Sequence, residues 1–170
     1  MSPRGDVVIR PCYATDVEQF RELRLLALRD EPDAYGSTYE ESSRRPTTAW
    51  IEMAKTGNCF LAFDGDRAVG MASGGEFSPY PHARWLYGMF VHADYRGTGV
   101  ARDLVHEVAE WTRGLSVMTL GLHVTTTVSR AVAFYRGLGF VPSGPAEPMQ
   151  RDPTLHLQTM TTHLLSNDRI

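Results

Sequence analysis

Lysine is nearly missing from this chain: Lys55 is the only one, and the other sixteen basic residues are arginines. That bias reads as codon composition of the source rather than as chemistry. Cysteine is scarce too. Cys12 and Cys59 stand far apart and form no metal or redox spacing, so both are expected to be reduced structural residues of a cytoplasmic protein. No apolar run approaches membrane-spanning length, and the opening Met1–Asp6 holds no apolar segment, so neither a membrane span nor a secretory signal is expected. Net charge is only -3, which argues against a protein held to nucleic acid by bulk charge and is mildly compatible with a cationic substrate. No His, Cys or carboxylate pair has metal-ligand spacing, and no metal is expected. Repeats and low-complexity tracts are also missing.

What remains is an ordinary globular composition: 170 residues, 42% hydrophobic and 22% charged, long enough for one domain over 1–170. Val7–Pro11 reads as a strand that its proline ends. Thr15 or Asp16 caps a helix to about Arg29, with Phe20, Leu23, Leu26 and Ala27 as its apolar stripe. Residues 30–36 break it, and 37–45 read as a loop or short irregular helix. A second helix spans Ala49–Lys55 behind Thr47 or Thr48. Cys59–Phe63 and Arg67–Gly75 form a hairpin across Asp64-Gly65-Asp66. Residues 76–83 are a loop and Arg84–His92 a strand. Gly99–Arg113 is an amphipathic helix, Val117–Val124 a buried strand, and Val128–Leu138 a helix with Gly139 past its end. Phe140-Val141 starts a strand stopped by Pro142, Gly144–Pro153 is a proline-rich loop, and Leu155–Leu165 is the last strand. The fold class is α/β: a mixed, largely antiparallel sheet flanked by helices.

The chemistry concentrates at Arg96-Gly97-Thr98-Gly99-Val100-Ala101, a glycine turn between an apolar strand and an amphipathic helix. Such a turn lets backbone N–H groups and a helix N-terminus converge on an anion, most simply a diphosphate. A dinucleotide fold wants this turn in the first strand–helix unit with a third glycine, and a P-loop wants Gly-Lys-Ser/Thr; neither is present. A second block, Leu122-His123-Val124 followed by Ala131-Val132-Ala133-Phe134-Tyr135-Arg136-Gly137-Leu138-Gly139-Phe140, sharpens the reading.

Together the two blocks resemble the GNAT N-acetyltransferase superfamily. The first matches its acetyl-CoA signature, Arg/Gln-x-x-Gly-x-Gly/Ala. The second matches the strand–helix unit that ends Ala-x-x-Phe/Leu-Tyr-x-x-x-Gly-Phe. The resemblance runs from Trp85 to Phe140, and the element order elsewhere fits. It implies that Gly97, Thr98, Gly99, Val100 and Ala101 cradle the pyrophosphate of acetyl-CoA. Arg96 and Arg136, with Arg102 and Arg130 as further candidates, would meet phosphates. The backbone of Met89, Phe90 and Val91 would pair with the pantetheine arm on a strand that splays from its neighbour. It implies an acetyl transfer to a small-molecule or peptide amine; a homodimer is common among members, and the sequence itself leaves the oligomeric state open.

The resemblance makes Tyr135 the expected general acid toward the leaving thiolate; helical spacing with Val128, Ala131, Val132 and Leu138 also suits an apolar face, and position within the motif favours the functional role. The base is open. Glu76 ends a strand beside the expected acyl end. Tyr39, Glu40 and Glu41 lie in the segment that walls acceptor pockets in the family. His92 and His123 are further candidates, although His123 alternates with apolar residues as a core histidine would. One departure stands out: Val128 occupies a position where the family often has a cofactor-binding asparagine. A CoA-binding module without turnover is the alternative function.

Overall fold

A computed structural model describes residues 5–165. The chain runs β1 (Val8–Pro11), α1 (Val17–Asp30), α2 (Tyr39–Ser43), α3 (Thr47–Lys55), β2 (Cys59–Asp64), β3 (Arg67–Gly75), β4 (Arg84–Val91), α4 (Val100–Gly114), β5 (Thr119–Thr125), α5 (Ser129–Gly137), β6 (Val141–Pro142), β7 (Glu147–Met149) and β8 (Asp152–His163). The strands form one sheet in the order β1-β2-β3-β4-β5-β8-β6, with β7 also on β8. Every pairing is antiparallel except β4 with β5. Among the described residues no helix is long and apolar enough to cross a membrane.

The period-two alternation of the strands sorts the core into two layers. Phe60 and Ala62 join Leu104, Val105 and Val108 of α4 and Leu120, Leu122 and Val124 of β5 on one face. Leu61 and Phe63 join Phe20, Leu23 and Ala27 of α1 and Trp50 of α3 on the other. The α1 stripe departs slightly from expectation: Leu28 is buried, while Leu26 only packs against the cluster's edge.

Several boundaries move for local reasons. Asp16 precedes α1, but its carboxylate accepts from the Tyr13 N–H (2.8 Å) and both Arg10 nitrogens (2.7 and 3.0 Å) instead of capping the helix. Pro46, not a threonine, is the N-cap of α3. The expected loop 144–153 holds the short strand β7, and β8 begins at Asp152. Cys12 and Cys59, distant in sequence, become neighbours where β1 leaves β2, with the Cys12 N–H donating to the Cys59 carbonyl at 2.8 Å; both are free buried thiols.

Gly121 of β5 carries a packing constraint. A Cβ there would stand 2.3 Å from Cζ3 of Trp85, whose ring is fully buried. Overpacking of this kind costs about 3 kcal/mol when the neighbour cannot yield. Gly121→Ala is therefore expected to lower the unfolding free energy by about that amount, read as a fall in the urea midpoint at unchanged slope.

Candidate active site

β4 and β5 pair only near their starts, Arg84 opposite Leu120 and Trp85 opposite Gly121. Beyond that point they part and open a cleft of about 280 Å³ through the sheet. A bulge in β4 reshapes its wall. Phe90 faces Met71 and Tyr87 faces Ser73, so Gly88 and Met89 share the single position opposite Ala72. Gly88 takes φ +60°, which glycine adopts without a Cβ penalty. Met89, Phe90 and Val91 line the cleft with no strand beside them on the β5 side.

At one end of the cleft lies the glycine turn. Gly97 has φ +77°, and a Cβ there would meet nothing within 4 Å. Gly99, at φ +97°, is the N-cap of α4, so the N–H groups of Val100 and Ala101 begin a helix without intrahelical acceptors. Gly97 and Ala101 line the cleft. Thr98 braces the turn, its hydroxyl donating to the Tyr95 carbonyl at 2.6 Å. Arg96 donates from Nε to the Val91 carbonyl at 3.1 Å and from Nη2 to Glu31 at 2.7 Å. Arg130 reaches the same Glu31 oxygen at 2.6 Å. One carboxylate thus gathers two guanidiniums at the mouth, and an arriving phosphate would compete with it for both.

Deeper in the cleft stand three titratable side chains. Tyr135 of α5 is 8% exposed, its ring edge-on to Phe134 and Phe140. Burial, with a contribution from nearby Tyr35, pushes its phenol well above the usual range. Tyr35 donates its hydroxyl to the Met89 carbonyl at 2.8 Å and is likewise raised by burial. His123 of β5 lies 3.3 Å through Nδ1 from the indole Nε1 of Trp85. An indole N–H only donates, so Nδ1 carries the lone pair and Nε2 the hydrogen. Burial lowers the His123 pKa, partly offset by the charge of Glu147. At neutral pH the cleft therefore holds two neutral phenols, of which Tyr35 already donates to Met89, and one neutral imidazole.

Residues 20–140 match the Acetyltransferase (GNAT) family. The chain belongs to the GNAT acetyltransferase family. Acetyl-CoA-dependent acetylation is general for that family, so the chain is an acyltransferase by membership. Solved structures share the whole fold of this GNAT chain. The yncA protein of Salmonella typhimurium, solved with its cofactor acetyl-CoA, superposes with a TM-score of 0.77 at 18% identity, covering 96% of this chain and 97% of that one. The ribosomal-protein-alanine N-acetyltransferase of Brucella melitensis gives 0.75 at 24% identity over 92% and 99%. The NAA60 protein of Arabidopsis thaliana, in complex with a bisubstrate analogue, gives 0.71 at 15% over 95% and 99%. A comparison with curated proteins found no match.

Of the residues singled out in the sequence, the GNAT fold brings Met89, Phe90, Val91, Arg96, Gly97, Ala101 and Tyr135 to the cleft wall. Val128 lines it as well, with no side-chain hydrogen bond to offer. Others stand away. Arg136 is exposed outside the lining residues. Glu41 closes a capping box on α2, accepting from the Thr38 N–H at 3.1 Å, and Tyr39 is 39% exposed beside it. The Glu76 side chain is 82% exposed, 3.4 Å from Arg84 and outside the cleft lining. The helix-breaking segment 30–36, whose end from Ala34 onward was also expected to wall the acceptor pocket, contributes Glu31, Ala34 and Tyr35. It is held across the cleft by Thr125, which donates to the Asp33 carbonyl at 2.7 Å, and by Arg151, which donates to the carbonyls of Pro32 and Tyr35. An aromatic residue within a proline-led loop was the available signal.

Proposed function

We propose that this GNAT member transfers the acetyl group of acetyl-CoA to a primary amine by direct attack within a ternary complex. The observation that carries the reading is a single cleft lined both by the glycine turn that leads into α4 and by an imidazole and two phenols. The cradle suits a diphosphate because Gly97 presents open space where a side chain would stand, and the first amides of α4 lack acceptors. With valine at position 128, cofactor affinity rests on the cradle and on Arg96 and Arg130.

His123 takes the role of base that Glu76, outside the cleft, is not placed to fill. As the amine nitrogen bonds to the thioester carbon, His123 accepts the released proton at Nδ1 and gives up the indole contact. Tyr135 is the general acid. The C–S bond breaks, and the phenol hydrogen meets the departing sulfur. A thiol is more acidic than a phenol, and burial widens that gap, so Tyr135 stabilises the thiolate through its hydrogen bond more than by complete transfer. Tyr135→Phe is accordingly expected to lower kcat by about tenfold to a hundredfold while KM for acetyl-CoA changes little.

The reading is tested by calorimetry with acetyl-CoA, followed by acetyl-CoA-dependent thiol release across polyamines, aminoglycosides, amino acids and peptides. Binding and release with at least one amine are expected. Absence of binding sinks the reading; tight binding without release across the panel favours a CoA-binding module instead.

A further inference from the structure

Arg24 sits on α1 behind the wall of the cleft. Its Nη2 donates to the Ser37 hydroxyl at 3.0 Å, and its guanidinium carbon lies 4.6 Å from the centre of the Tyr35 ring. Its Nη1 is shielded from solvent and has no acceptor. Among the described residues no carboxylate pairs with Arg24; burial lowers its pKa, Tyr35 partly offsets this, and Arg45, of the same sign, adds to it. A guanidinium stays charged in a protein, and a buried charge without a partner is costly. The fold keeps this cation beside the cleft and supplies no counter-ion.

The place where that counter-ion belongs is defined by Gly88. Nη1 lies 3.8 Å from the Cβ position of that glycine, which lines the cleft at the β4 bulge. Arg24 itself is not among the lining residues; Tyr35, whose ring covers the guanidinium, does line the cleft, so a ligand reaches Nη1 only when that ring turns aside and releases the Met89 carbonyl.

We propose that Arg24 binds a carboxylate of the acceptor, and that the acceptor is a small amine bearing a carboxylate within a few bonds of its reacting nitrogen. With Nη2 already held by Ser37, the shielded Nη1 matches a single carboxylate better than a tetrahedral phosphate, which calls for a wider donor set. The proposal rests on the acetyl-transfer reading and narrows its substrate class.

The test compares thiol release with free amino acids and with their carboxamides, in wild type, Arg24→Gln and Arg24→Lys. Acetyl-CoA affinity is measured for each protein by calorimetry. Wild type is expected to favour acids over amides in kcat/KM by about tenfold to a hundredfold, the worth of a charge-assisted hydrogen bond. Arg24→Gln is expected to bring the ratio close to one, and Arg24→Lys to keep part of it. Acetyl-CoA binding retained by the variants shows that the cleft is intact. The wild-type ratio is informative even if a variant fails to fold. Equal use of acids and amides, a ratio unchanged in Arg24→Gln, or no release with any acid despite acetyl-CoA binding overturns the carboxylate site alone. Failure of wild type to bind acetyl-CoA overturns the transfer reading and this proposal with it.

Discussion

Replacing His123 by glutamine is expected to lower kcat by about a hundredfold or more, the usual worth of a general base in place. Glutamine keeps polarity and approximate size but cannot take a proton at neutral pH. The larger signature is in the pH profile. Burial lowers the His123 pKa, so the ring loses its proton below the ordinary histidine range and is already neutral at pH 7. The log kcat profile of the wild type should therefore be flat near neutrality and fall on the acid side, with its limb below about 6.5. His123→Gln should lose that limb as well as the rate. A structural role for the ring against Trp85 predicts something different: a lower melting temperature with the acid limb kept. Reading kcat rather than kcat/KM excludes the free acceptor's own ionisation from the comparison.

Replacing Gly97 by valine is expected to raise the dissociation constant for acetyl-CoA by about a hundredfold, which corresponds to about 3 kcal/mol. Two effects separate. At φ +77° an L-residue pays about 1–2 kcal/mol, more when β-branched, and that strain falls on stability. The loss of affinity comes from the new side chain, which projects into the space that a phosphate must enter. No protein atom lies within 4 Å of that Cβ position, so the clash is with the ligand and not with the fold. Calorimetry should show the loss, with thermal unfolding lowered only by the backbone strain. An unchanged dissociation constant would remove Arg96–Ala101 from the cofactor site.

The two residues differ in how far the sequence exposed them. Gly97 was legible because a cradle is a local object: two glycines, a strand before and a helix after, within a handful of residues. Tyr135 was legible through a helix-borne motif of the same kind. His123 was named, but its alternation with Leu122 and Val124 pointed to the core. Only the parting of β4 from β5 shows that it faces a cleft. Glu76 illustrates the reverse. It follows a strand as expected, yet the loop turns its carboxylate outward to Arg84. Glu41 was an attractive acid in a pocket-forming segment, and the structure uses it to cap α2.

By itself the sequence determined the family, the order of nearly all helices and strands, the glycine cradle and the tyrosine helix. Each of these is written in short-range patterns: periodicity, caps, turn residues and motif spacing. Tertiary structure alone decided what surrounds the chemistry. Tyr35 reaches Met89 across 54 positions, and Glu31 reaches Arg130 across 99. Arg24, an unremarkable charge on an amphipathic helix, becomes a half-buried cation with a shielded Nη1 beside the β4 bulge. Contacts of that span depend on how the sheet splays and which loop crosses it, and no local pattern encodes them.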